Sequence, residues 1–164
     1  MKYSSTNLLL IGILLFAIAA IGFGCRSFFS NRTSKSRKVS GPVQIGSQWT
    51  EISPAPPLTA TGKLQFVGLK INGLKPGAAA PDGKIPLGDG RSLKIEVQLI
   101  DENGNSLTLF PNGIGEFAEF GKRAQNKENV DDAYFEPGEK FTKIKIRSDQ
   151  NLSVDEVIWS ELEF

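Results

Sequence analysis

The chain of 164 residues has no histidine and a single cysteine, Cys25. Without histidine there is no Ser-His-Asp or Cys-His catalysis and little zinc chemistry. One cysteine excludes an internal disulfide and any multi-cysteine metal site. Charge of one sign is also missing from one end. Residues 1–40 carry six cations (Lys2, Arg26, Arg32, Lys35, Arg37 and Lys38) and no acid. Subtracting those six from 19 leaves 13 cations beyond residue 40 against all 18 acids, a net of −5. A mildly acidic body argues against a nucleic-acid surface, which needs a basic face. No cofactor and no metal site is expected.

What is present at the start is one long apolar run. Leu8 to Gly24 reads LLLIGILLFAIAAIGFG, 17 residues without a charge and without the polar face that a core helix would keep. That length meets the lower limit of a membrane span. Three fates compete: an uncleaved anchor, a signal peptide cut after Ala17-Ile18-Ala19, and lipidation at Cys25. Gly22-Phe23-Gly24 before Cys25 resembles a bacterial lipobox only at Gly24, so the anchor is the preferred reading. The cations after the span would hold the rest of the chain in the cytoplasm by the positive-inside rule. The early start of the run resembles a secretory signal, and the body has the composition of an envelope β-domain. The reading adopted is a single-pass protein with an extracytoplasmic domain, periplasmic or at the cell surface. Residues 25–42, rich in Ser, Arg and Lys, read as a basic flexible linker.

The remainder, 43–164, is patterned for strands. Leu93, Ile95, Val97 and Leu99 alternate with Lys94, Glu96 and Gln98, the period of a half-buried strand. Asn103-Gly104 is a hairpin-turn signal. Beyond it Leu107 and Leu109 alternate with Ser106, Thr108 and Phe110, so 93–110 is a hairpin. In Lys63 to Ile71 the apolar phase shifts at Gly68, which predicts a bulge. Asn72-Gly73 is a turn. The stretch from Phe141 to Arg147 alternates again, and 153–164 favours a strand over a helix by its β-branched and aromatic content. The Pro-rich 53–61 is an edge or loop element. Seven or eight short strands with turns between them predict an all-β, antiparallel sandwich.

The strand pair from Phe141 to Asp149 and from Val157 to Trp159 is similar to the closing pair of galactose-binding-like jelly-roll domains. The resemblance covers about a third of the chain and implies a jelly roll that binds carbohydrate or protein. It carries over no binding residue. An immunoglobulin-like sandwich is the runner-up fold.

Three other motifs have simpler explanations. Gly113-Ile114-Gly115-Glu116-Phe117-Ala118 fits the dinucleotide pattern, but that fingerprint works only in a βαβ unit, and hairpin-joined strands make it a Gly-containing loop. Asp101, Asn103 and Asn105 begin like a calcium loop, yet Ser106 and Asn112 stand at its glycine and glutamate positions, which leaves a turn. Asp131, Asp132, Glu136 and Glu139 read as a solvated acidic loop. The longest irregular stretch is Pro111 to Pro137. Loops of that length carry function. Phe117, Phe120, Lys122, Arg123 and Tyr134 are therefore the candidate ligand-binding residues, with a core lid as the competing role for the aromatics. The function expected is a membrane-anchored, non-catalytic binding module for a glycan or protein ligand. The alternative is a structural or assembly subunit of an envelope complex.

Overall fold

The computed structural model describes residues 34–80, 82–123 and 134–162. The apolar run 8–24, Cys25, and Asp131 and Asp132 lie outside the described residues. Among the described residues no helix is long and apolar enough to cross a membrane.

Every described element is a strand. In chain order they are β1 (Ser34–Ser40), β2 (Val43–Ile45), β3 (Thr50–Ile52), β4 (Leu58–Thr59), β5 (Gln65–Lys70), β6 (Ile85–Pro86), β7 (Ser92–Leu93), β8 (Ile95–Asp101), β9 (Ser106–Ile114), β10 (Ala118–Gly121), β11 (Lys140–Ser148), β12 (Leu152–Val154) and β13 (Glu156–Leu162). All pairings are antiparallel. The principal sheet has nine strands in the order β1-β13-β5-β10-β9-β8-β11-β3, with β4 also on β11. Small ribbons join β12 to β2 and β6 to β7. The expectation of an all-β antiparallel fold is met at this level.

Two corners curl the sheet. The first is in β9, whose early half (Ser106–Leu109) pairs β8 while its later half (Phe110–Ile114) pairs β10. Opposite β10, Phe120 faces Pro111 and Glu119 faces Gly113, so Asn112 is the extra residue of a β-bulge. Bulges bend a strand and let it pass from one layer to the next. The second corner is the N-terminal segment. Its β1 closes one sheet edge against β13, and a few residues later β3 closes the other against β11. The sheet is thus nearly a barrel, with the two ends of one segment on its two edges.

The period-2 residues fill the interior. Leu93, Ile95, Val97 and Leu99 of the expected hairpin are all buried, as are Ile144, Ile146 and Val157. Phe141 and Ile144 both point inward despite their odd spacing, because the pairing of β11 with β8 slips between Phe141 and Lys143. Phe135, Phe141 and Trp159 form an aromatic cluster with ring centroids 5.4–6.4 Å apart. Edge-to-face and tilted contacts of this kind add to the burial of the rings.

Two expectations need correction. Residues 34–40, assigned to the flexible linker, are β1, in register from Ser34 opposite Leu162 to Lys38 opposite Ile158. An edge strand needs no apolar alternation, because its partner strand supplies the hydrogen bonds and lysines keep its free edge from pairing further. The bulge expected at Gly68 is absent: β5 runs through it in register with both β13 and β10. The phase shift arises because both faces of β5 are covered. Val67 and Leu69 fill the interior, while Phe66 is buried outside the main core cluster. Gly68 is small for a packing reason. A Cβ there would lie 2.7 Å from Cγ1 of Ile158, whose side chain occupies that space.

The turns follow from local chemistry. Asp101 Oδ1 accepts the backbone N–H groups of Asn103 and Asn105, each at 2.8 Å, and Oδ2 accepts from the Asn105 amide. Gly104 takes a positive φ of 87°. The Asp-x-Asn-Gly-Asn run is therefore a side-chain-pinned hairpin turn, and the Asn105 amide and backbone donors hold the Asp101 carboxyl below its ordinary value.

Candidate functional site

The β9 corner builds a concave site. Because Leu109 faces inward, Phe110 faces out, and at 38% exposure it is the one large apolar side chain left in solvent among them. Pro111 follows at the bend, and the bulge aims Asn112 across Gly121 of the neighbouring strand. A Cβ at Gly121 would collide with the Asn112 amide nitrogen, so glycine there makes room for the amide.

The facing wall comes from the segment after β5. Gly77 and Ile114 exchange two backbone hydrogen bonds of 2.9 Å, which fasten this segment to the end of β9. A turn closes with Gly83 N–H donating to Ala80 O at 2.8 Å, and Gly83 adopts φ 77°. Three alanines and this glycine keep the wall low. Between the walls lies a groove of about 350 Å³ lined by Ala78, Ala79, Ala80, Asp82, Gly83, Phe110, Pro111, Asn112 and Arg123. The Arg123 guanidinium sits 5.1 Å from the centroid of the Phe110 ring. Asp82 is paired with Lys84 Nζ at 2.9 Å, and that lysine holds its carboxyl below the usual range.

A second groove, of about 250 Å³, lies on the other side of the sheet order, along β8 and β11. It too has a cation on an aromatic ring: the Arg147 guanidinium is 4.5 Å from the centroid of Trp49. Here the ionic groups are spoken for. Arg147 Nε donates to Glu96 Oε2 at 2.9 Å, and Lys94 Nζ is 3.8 Å from Glu96 Oε1. Asp149 Oδ1 accepts from the Lys94 backbone N–H at 3.0 Å. Arg147 and Glu96 are direct cross-strand partners, so this set braces the register of β8 against β11. The neighbouring Glu51 bridges Lys143 and Lys145 in the same manner.

The five candidate residues from the sequence do not form one site. Phe120 is fully buried in the core, which corrects its assignment to a binding surface. It lies opposite Val67 on an inward-facing position of β10, in a segment taken for irregular loop that is strand through Ile114 and again from Ala118. Phe117 sits at the other end of β10 from Arg123, with Lys70 Nζ 5.7 Å from its ring centroid. Lys122 Nζ donates to the Tyr134 carbonyl at 3.0 Å, so these two hold each other. Arg123 alone of the five lines the groove. Phe110 and Asn112 were missed. Phe110 carried a signal, since it is an aromatic in the outward phase of a strand, immediately before a proline.

Glu119 is half buried on the outer side of β10, with glycine as its cross-strand neighbour on both sides, Gly68 and Gly113. A Cβ at Gly113 would stand 3.1 Å from Glu119 Oε2. Burial pushes the Glu119 carboxyl up.

A scan against models of known protein families matches none, and a search of curated proteins finds no match.

Proposed function

We propose that the chain is a membrane-anchored, extracytoplasmic and non-catalytic binding module, and that its ligand, a glycan or a protein, sits in the Phe110–Arg123 groove. The observation that carries this reading is the exposed Phe110 with Arg123 over its ring, set on a β-bulge beside a low wall of alanines. Aromatic and arginine side chains are enriched at binding hot spots: aromatics give contact area with few torsions to freeze, and the planar guanidinium gives directed hydrogen bonds. The strand corner, held by paired neighbours, gives Phe110 a rigid base, and Arg123 follows β10 by two residues. The curled two-corner sheet supports a jelly-roll-like sandwich as the finer description of the fold. The run 8–24 supports the anchor and the export.

The test uses the full chain in detergent, on a glycan array and in a pull-down from solubilised membrane. Capture of a ligand by the parent protein, and loss of capture on Phe110→Ala with an unchanged melting curve, is the expected result. Phe110→Ala binding as well as the parent places the contact elsewhere. Co-purification in fixed stoichiometry, indifferent to Phe110, points to the assembly-subunit reading instead.

A further inference from the structure

We propose that the groove selects a carboxylate-bearing saccharide, a uronic-acid-type sugar, over a neutral one. This rests on the binding-module reading and concerns which ligand the same site takes.

The argument is charge and hydrogen-bond accounting in the two grooves. In the β8–β11 groove the arginine over the aromatic ring already holds a carboxylate, Glu96. In the β9-corner groove the equivalent arginine makes its ring contact and no ion pair with a described carboxylate. A guanidinium beside a ring and without a carboxylate partner among the described residues can turn its N–H groups to a ligand, and a carboxylate accepts two of them side by side.

The rest of the lining favours a sugar ring over an acidic peptide. The part of the Phe110 ring that Arg123 leaves in solvent offers an apolar surface for the C–H side of a pyranose. The Asn112 amide can both donate and accept, and no described group occupies it. Asp82 on the far wall keeps acceptor capacity for hydroxyls. Its own charge is balanced by Lys84 at 2.9 Å, so it adds little repulsion toward an anionic ligand. Hydroxyl acceptor, amide, aromatic and cation in one groove match a ring carrying several hydroxyls and one carboxylate. A glutamate side chain brings the carboxylate without the ring hydroxyls.

Full-length protein in detergent micelles is titrated with a galacturonate oligomer, with the same oligomer after carboxyl reduction, and with a polyglutamate peptide. Arg123→Gln and Phe110→Ala are run in parallel, with melting curves as a folding control. The expected result is binding of the acidic oligomer at least about tenfold tighter than its reduced form. Arg123→Gln should erase that preference, and Phe110→Ala should weaken binding of both oligomers. Equal affinity for the two oligomers, indifferent to Arg123, overturns the acid preference and leaves the binding-module reading standing. Arg123-dependent binding of polyglutamate without the uronate overturns the sugar. Failure of every probe overturns the proposal as well. The pull-down, which samples ligands of any class, then decides the broader reading separately.

Discussion

Phe120 is fully buried beneath β10, while Phe110 stands in solvent at the β9 corner. Phe120→Ala removes a whole ring from a closed interior and should cost about 3–5 kcal/mol by urea unfolding. Phe110→Ala should stay within about 0.5 kcal/mol, as for surface positions generally. Similar losses at both would mean that the corner is packed, and that the groove is not a surface. Glu119 sets a pH dependence of its own. Its carboxyl is pushed up by burial, so over a window above the ordinary glutamate value the folded state holds a proton that the unfolded chain has released. The folded state binds more protons there, so this contribution to stability is complete below the window and is lost as pH rises through it. Glu119→Gln should therefore melt like the parent at about pH 3 and above it at about pH 7. A variant less stable at neutral pH would show that the charged carboxylate has a partner. The carboxylates that lysines or turn donors hold low, Glu51, Glu161 and Asp101 among them, act in the opposite sense and lose their contribution as pH falls.

Strand β1 shows what an element contributes when its own side chains bury little. It covers β13 from Leu162 to Val157, and Trp159 lies directly opposite Arg37. A protein lacking residues 1–40 would leave β13 as a bare edge with Val157, Ile158 and Trp159 along it, an invitation to edge-to-edge pairing. Removal of residues 1–33 should leave the sheet intact. The expected outcome is a cooperative melt and a monomer in sedimentation for the shorter deletion, and a lower melting temperature with self-association for the longer. Matching behaviour would show that β1 is dispensable. Strands of this type escape a reading of the sequence. The hairpin of β8 and β9 was legible because one face meets the core and the other meets water, which writes period 2 into Leu93, Ile95, Val97 and Leu99. The run SKSRKVS has one apolar residue and is positioned by hydrogen bonds to a strand at the far end of the chain, which no local pattern encodes. The Gly68 phase shift misled for a related reason, since β5 is covered on both faces. Of the site, Arg123 was read as a candidate and Phe110 was legible in its outward strand phase. The bulge that aims Asn112 depends on cross-strand register, and register is a tertiary property.

At the scale of the molecule, the fold is closed by sequence-distant partners. Segment 34–52 reaches both edges of the nine-stranded sheet, and its β1 pairs the last described strand. Such non-local pairing carries a large loop-closure entropy before any contact forms, so folding should be slow for the domain's size. The Ser34–Leu162 register also fixes how the domain would respond to mechanical load. The two residues are cross-strand partners, so both ends of the described chain leave the barrel at the same point. Tension applied between them would act across the β1–β13 ladder, perpendicular to the strands, and break its rungs one at a time from Ser34 inward. Tension along the strands would have to shear all the rungs together. A tether pulling on Ser34 against an attachment near Leu162 would thus open the domain like a zipper, at low force, and its first act would be to bare the edge of β13.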